Sequence, residues 1–101
     1  MATRLDLHTL FENLLGSKSA YYQPPESTRM SYPAIKYRRK NIENVYANGS
    51  VYSQHNCYEV IVIYKDPDSD LPHKIASIPM CRFDRHYTVD NLNHDVFTLY
   101  F

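Results

Sequence analysis

The segment Tyr58-Glu59-Val60-Ile61-Val62-Ile63-Tyr64 constrains the fold most, because apolar side chains occupy positions on both of its faces. A strand that is exposed on one side alternates apolar and polar residues, and this segment does not. We therefore predict a central strand over residues 53–65 that is covered on both sides. The chain has 101 residues, so this strand belongs to one domain, spanning residues 1–101.

An amphipathic helix is predicted over residues 4–15, with Thr3 as its N-cap and Gly16 in the left-handed position just past its end. Its apolar face recurs at helical spacing in Leu7, Leu10, Phe11 and Leu14. A second, short helix is predicted over residues 69–78, where apolar residues again fall on one face. Each helix has one apolar face, so each should pack on a sheet.

Four further strands are predicted around the central one. They span residues 20–23, 32–38, 80–88 and 93–101. Asn48-Gly49 is a hairpin signal, so residues 39–52 are predicted to form an exposed β-arm or a loop. The expected fold class is α+β, a mostly antiparallel sheet of about five strands with both helices on one face.

The last strand, Val96–Phe101, is apolar on nearly both faces. If helices cover one face, the other face needs a cover too. A neighbouring subunit could supply it. Alternatively, the sheet could curl on itself into a half-barrel.

Composition excludes several classes of function. The formal net charge is zero, whereas a chain whose main task is nucleic-acid binding usually carries a basic excess. No apolar run is long enough for a membrane helix, and Asp6 and Glu12 interrupt the apolar start, so we expect neither a membrane segment nor a secretion signal. Cys57 and Cys81 are therefore expected to be reduced and partly buried.

The ten tyrosines are typical of partner surfaces and equally of strands.

Charge is segregated along the chain. The basic run comprises Lys36, Arg38, Arg39 and Lys40, and the acidic run comprises Asp66, Asp68 and Asp70. We predict that these runs meet across subunits or dock to successive rings of an assembly, the alternative being two solvated loops. The basic run, with Tyr46 and Tyr52 nearby, also makes segment 36–52 a possible nucleic-acid-binding module.

The sequence gives little indication of a catalytic site or of a metal-binding site. The residue types that bind zinc are His55, Cys57, Cys81, His86 and His94, but none of the spacings typical of a structural site occurs. Asp84-x-His86 would place a carboxylate and an imidazole on one face of a strand, without any motif that supplies a nucleophile. We expect no catalytic residue, no metal, no cofactor and no enzymatic activity.

Segments in order along the whole chain carry a family resemblance. In the first half they are Leu10-Phe11-Glu12-Asn13-Leu14-Leu15, Tyr22-Gln23-Pro24-Pro25 and Tyr32-Pro33-Ala34-Ile35-Lys36-Tyr37. In the second half they are Tyr58–Ile63, Asp66–Pro72, Cys81–Tyr87 and Asn91–Phe101. Together they resemble the small neck proteins of tailed phages, closest to the tail terminator family, in a variant common in phages of Gram-positive hosts.

The resemblance implies a structural protein of the virion neck, assembled in the host cytoplasm, that forms a hexameric ring. The ring would cap the tail tube and join it to the head connector or head-closure protein. Arg38, Arg39 and Lys40 could touch genomic DNA non-specifically in the lumen. The helix at 69–78 is shorter than is usual in the family, so a head-closure protein is the alternative. The expected interface comprises Lys36, Arg38, Arg39, Lys40, Tyr46, Tyr52, Asp66, Asp68, Asp70, Tyr87, Tyr100 and Phe101.

Overall fold

The computed structural model describes residues 3–25, 29–47 and 49–101, without the side chains of residues 43, 45–47 and 51–55. The elements are α1 (Arg4–Leu15), β1 (Ala20–Tyr22), β2 (Ala34–Ala47), β3 (Ser50–Tyr64), α2 (Leu71–Ala76), β4 (Cys81–Val89) and β5 (Leu92–Tyr100). The strands form one sheet in the order β1-β2-β3-β5-β4, in which only the β1–β2 pair is parallel. The α+β fold predicted from the sequence is confirmed.

Local signals set both ends of α1. The Thr3 hydroxyl accepts a hydrogen bond from the Asp6 backbone N–H at 3.2 Å, and the Asp6 carboxylate accepts one from the Thr3 N–H at 2.9 Å. This reciprocal capping box satisfies donors that a helix start leaves unpaired. At the other end, Gly16 has a φ of 71°, and its N–H donates to the carbonyl of Glu12. The predicted bounds of α1 and both of its caps are therefore confirmed.

The core lies between the two helices and one face of the sheet. Alternate residues of β3 point into it, as the central position of β3 in the sheet requires. The core members contributed by the central strands and the helices are Tyr37, Tyr58, Val60, Val62, Phe97, Leu99, Leu7, Phe11, Leu71 and Ile75. Each such side chain contributes about 1.5–3 kcal/mol when fully buried.

β2 and β3 are longer than the sequence indicates. β2 runs from Ala34 to Ala47 rather than ending at Arg38, and β3 begins at Ser50. The register pairs Ala47 with Ser50, so the β-arm predicted as one alternative for residues 39–52 is confirmed. Gly49 has a φ of 79°, which suits the predicted hairpin turn, while Asn48 lies outside the described residues.

The hairpin between β4 and β5 is a tight one. Val89 pairs with Leu92, and the two residues between them, Asp90 and Asn91, have φ values of 53° and 63°. Two successive left-handed residues are characteristic of a type I′ turn, whose twist matches that of the flanking strands. Asp and Asn tolerate this conformation better than other residues with side chains. The sequence favours a hairpin with a four-residue connection over Val89–Leu92; the hairpin is present, but its turn has two residues because Val89 and Leu92 pair.

The two alternatives for covering the outer face of β5, a neighbouring subunit or the chain itself, can be compared at Val96. This residue points away from the helices, yet it is 0% exposed in the single chain. In the register it lies between Ile61 of β3 and Arg85 of β4. The chain itself therefore buries this part of the outer face, while Thr98 and Tyr100 stay half-buried.

Candidate functional site

A two-stranded arm is the most prominent surface feature. β1 pairs with β2 only as far as Tyr37, and β5 pairs with β3 only from Cys57 onward. Beyond these points the backbones of residues 43–47 and 50–55 pair with each other, and Ile42 pairs with Asn56 at the base. The six residues 50–55 extend about 20 Å. We call this segment, residues 42–55, the arm.

The arm makes the molecule elongated. Its dimensions are 51 × 23 × 23 Å and its radius of gyration is 14.6 Å, against about 13 Å for a compact domain of this length. Ile42, at the base, is 43% exposed. The backbones of Tyr46 and Tyr52, two predicted interface residues, lie in the arm, and their side chains are outside the described part of the structure.

Three of the predicted basic residues line one groove, which we call the basic groove. It lies where β1 ends against β2, has a volume of about 430 Å³ and includes Lys36, Arg38 and Arg39 in its walls. Glu59, from β3, also lines it and accepts two hydrogen bonds from the guanidinium of Arg38, at 3.2 and 3.3 Å. Lys40 is exposed close to the base of the arm.

Gln23 shapes one wall of the basic groove. It follows β1 with a φ of 44°, and its N–H donates to the carbonyl of Tyr37 at 2.9 Å. Among the described residues, neither Lys36 nor Arg39 has a carboxylate within salt-bridge distance. The groove therefore holds two cationic side chains beyond the pair that Glu59 neutralises.

The predicted acidic residues lie in the exposed loop between β3 and α2, which we call the acidic loop (residues 66–70). The Asp66 carboxylate accepts the N–H of Asp68 at 2.9 Å, and the Ser69 N–H donates to the Asp66 carbonyl at 3.1 Å. These two bonds give the loop a defined turn. Asp70 forms a 3.7 Å ion pair with Lys74, one helical turn later, and Asp68 is fully on the surface.

The predicted interface residues of the last hairpin have partners within the chain. Tyr87 stacks on His94, with ring centroids 4.7 Å apart and an angle of 11° between the rings. Phe101 packs partly against the core, and its backbone exchanges hydrogen bonds with Asn56. Tyr100 pairs with Cys57 in the sheet and is half-buried.

A buried polar cluster, which sequence reasoning missed, joins three strands. Asp95 of β5 is 5% exposed and accepts a hydrogen bond from the Tyr64 hydroxyl of β3 at 2.7 Å. The other carboxylate oxygen of Asp95 lies 2.5 Å from Nδ1 of His86, on β4. Because a carboxylate only accepts, this nitrogen is the donor. Burial, together with the bond to Asp95, raises the pKa of Tyr64 to about 12.

The expected pairing of Asp84 with His86 on one strand face is wrong. Phe83 pairs with Phe97 and Arg85 pairs with Val96, so Asp84 is the extra residue of a β-bulge. The Asp84 carboxylate accepts a hydrogen bond from Arg85 at 3.0 Å instead. Among the described residues, His86 makes a side-chain hydrogen bond only to Asp95, which fastens strands together.

Three tyrosines belong to the core rather than to a surface. Tyr37, Tyr58 and Tyr64 are all buried, and the Tyr37 hydroxyl lies 2.6 Å from Nδ1 of His8. Burial is the main cause that raises the pKa of Tyr37 and of Tyr58. At these three positions the tyrosines are buried strand residues, which agrees with the interpretation that tyrosine is frequent here because it favours strands.

The structure also shows where the residue types that bind metals and the two thiols lie. Within the described ranges, no three His, Cys, Asp or Glu residues are grouped closely enough to hold a metal ion. Both cysteines are free, Cys57 being buried and Cys81 half-buried, as expected. Burial raises the pKa of the Cys81 thiol to about 11, so it is poorly nucleophilic at neutral pH.

In the part of the chain that the structure describes, no helix combines the length and the apolar character needed to cross a membrane. Comparisons with protein-family models, with curated proteins and with solved structures find no match to this chain.

Proposed function

We propose that this chain is a non-catalytic structural subunit of a closed homo-oligomeric ring in the neck of a tailed phage. The role nearest to its features is that of a tail terminator, which caps the tail tube and joins it to the head connector. The head-closure position in the same neck is the alternative within this class. The proposal rests on the arm, together with the family resemblance of the sequence.

The arm is the observation that carries the proposal. Residues 43–47 and 50–55 form a ribbon of two strands, and among the described strands each of them pairs here only with the other. Such a ribbon is marginally stable by itself in water and usually needs a third strand or a packed face. An element that a single chain supports so poorly is typical of a segment that is completed by a partner.

Sister copies are the simplest partner for the arm. A ring requires two different surfaces on each subunit, one that reaches and one that receives. The arm projects from one end of the sheet, so it can reach the next copy while the body of the domain receives the arm of the previous one. The zero net charge of the chain avoids the repulsion that like-charged copies would experience.

A nucleic-acid-binding module is the second candidate, favoured by the cationic side chains of the basic groove. Lys36 and Arg39 could contact phosphates, as could Lys40 beside them. The acidic residues of the chain cancel this charge overall, so any such contact should be loose and steeply salt-dependent. This function could coexist with a ring through which DNA passes.

The arm can be tested by shortening it. In this variant an Asn-Gly dipeptide replaces residues 43–55, so that Ile42 and Asn56 flank a two-residue turn. We expect the wild type to form one closed oligomer, alone or on purified tail tubes, and the shortened variant to remain monomeric with an intact domain. Native mass spectrometry measures the copy number, and circular dichroism checks the fold.

Two outcomes would count against the proposal. Assembly of the variant to the same extent as the wild type would show that the arm has no part in assembly. A wild type that never self-associates and never binds tubes would remove the ring itself. Lys18→Glu, on the exposed turn after α1, serves as a control that should assemble normally. Binding to purified connectors rather than to tail tubes would favour the head-closure position.

A further inference from the structure

The basic groove and the acidic loop are complementary in charge. The groove carries Lys36 and Arg39 without a carboxylate partner among the described residues, and it is open to solvent. The acidic loop presents the carboxylates of Asp66, Asp68 and Asp70. Among the described ion pairs, only the one between Asp70 and Lys74 involves this loop. Each surface therefore has a charge that the other could neutralise.

The two surfaces cannot meet within one molecule. Ile61, the groove residue nearest to the loop along β3, and Asp66 at the start of the loop are five residues apart, about 16 Å of extended chain. This distance exceeds the screening length of about 8 Å at physiological ionic strength. A contact between the groove and the loop thus requires a second copy of the chain.

The loop has the form of a preorganised ligand. The bonds from Asp68 and Ser69 to Asp66 fix its turn, so little conformational entropy is lost when it docks. The groove is equally defined, since the paired guanidinium of Arg38 and the bond from Gln23 to Tyr37 hold its walls. Its volume of about 430 Å³ can accept a few side chains of a loop.

We infer that the acidic loop of one copy docks in the basic groove of the next, so that Asp68 and Asp70 face Lys36 and Arg39 across each subunit boundary. The groove and the loop are two different patches of the same chain, so their contact is head-to-tail and closes into a ring when the rotation between copies closes. This inference rests on the proposed ring. It identifies the two surfaces that form the contact between neighbouring subunits, and it explains why all subunits have the same orientation around the ring.

Charge reversal tests the contact. The groove variant combines Lys36→Glu with Arg39→Glu, and the loop variant combines Asp68→Lys with Asp70→Lys. Arg38 is left unchanged because it pairs with Glu59. Each variant alone should associate roughly tenfold or more weakly than the wild type, because like charges then face each other across the boundary.

Mixing the two variants gives the decisive result. The loop of the groove variant is still acidic and fits the unchanged basic groove of the loop variant. At the next boundary, the loop of the loop variant, now basic, fits the groove of the groove variant, now acidic. An equimolar mixture should therefore recover assembly, with alternating subunits in equal number. Native mass spectrometry distinguishes the variants by mass, and circular dichroism confirms that each variant is folded.

The possible outcomes separate this inference from the proposed ring. If both variants assemble as the wild type does, or the mixture fails to recover, the inference is wrong and the ring stands. If the wild type itself never assembles, the proposed ring fails. A groove variant that assembles normally but loses binding to a labelled DNA strand would assign the groove to phosphates and overturn the inference. Lys18→Glu with Arg82→Glu serves as the matched control.

Discussion

Replacing Asp95 with alanine tests whether one buried carboxylate fastens three strands of the sheet. Asp95 accepts hydrogen bonds from Tyr64 and from His86, on the strands to either side of β5. A hydrogen bond to a charged group contributes about 1.5–3 kcal/mol, so the two bonds together contribute at most about 3–6 kcal/mol to the free energy of unfolding. Because alanine also avoids the cost of burying a carboxylate, we expect the free energy of unfolding to fall by about 3 kcal/mol, the low end of this range.

Urea unfolding followed by circular dichroism at neutral pH measures this loss. Tyr64→Phe removes one donor and leaves His86 in place, so it should cost about 1.5 kcal/mol, the low end of the range for one such bond. Thr98→Ala, at a half-buried position of the same strand, is the matched control and should change stability by about 0.5 kcal/mol. An Asp95→Ala variant within about 0.5 kcal/mol of the wild type, at an unchanged slope, would refute the reasoning.

Three further predictions follow from the same structure. Since the pKa of Cys81 is about 11, roughly one thiol in a thousand is ionised at pH 8, and iodoacetamide should label this residue at least about tenfold faster in urea than in buffer; equal rates would contradict burial. The folded state raises the pKa of Tyr64 to about 12, so it favours the protonated phenol. Stability should then be constant below pH 10, the usual tyrosine value, and fall between pH 10 and about 12, a loss that Tyr64→Phe should reduce in urea titrations. Gly16→Ala meets no atom within 4 Å but keeps a φ of 71°, so it should lower the melting temperature through about 1 kcal/mol of backbone strain, and an unchanged temperature would show that the backbone relaxes.

Local chemistry explains what the sequence predicts well. The bounds of α1 follow from Thr3, Asp6 and Gly16, whose preferences act within a few residues of each other. The central place of β3 follows from its apolar residues on both faces, which need no knowledge of the neighbouring strands. The turn at Asp90 and Asn91 is likewise a two-residue signal.

Long-range register explains what the sequence could not predict. Asp95 meets Tyr64 and His86 only because β5 lies between β3 and β4, an order that no local pattern fixes. The β-bulge at Asp84 turned the expected Asp84–His86 pair into an Asp84–Arg85 contact. A buried aspartate in an otherwise apolar strand is the one signal that could have indicated such a cluster.

The candidate surfaces were predicted in part. The sequence indicates a basic run and an acidic run, yet it gives no reason to expect that Gln23 and Glu59 complete the walls of the basic groove. It leaves residues 39–52 as either an arm or a loop, because the choice depends on pairing between β2 and β3. Phe101 was expected at an interface, whereas its packing against the core depends on where β5 ends beside β3.

Native mass spectrometry of the full chain, alone and with purified tail tubes, tests the central claim most directly. The account predicts a complex of a single copy number, an exact multiple of the 11.9 kDa subunit, that dissociates when the arm is shortened. A chain that remains a monomer under every condition, with or without tubes, would contradict it.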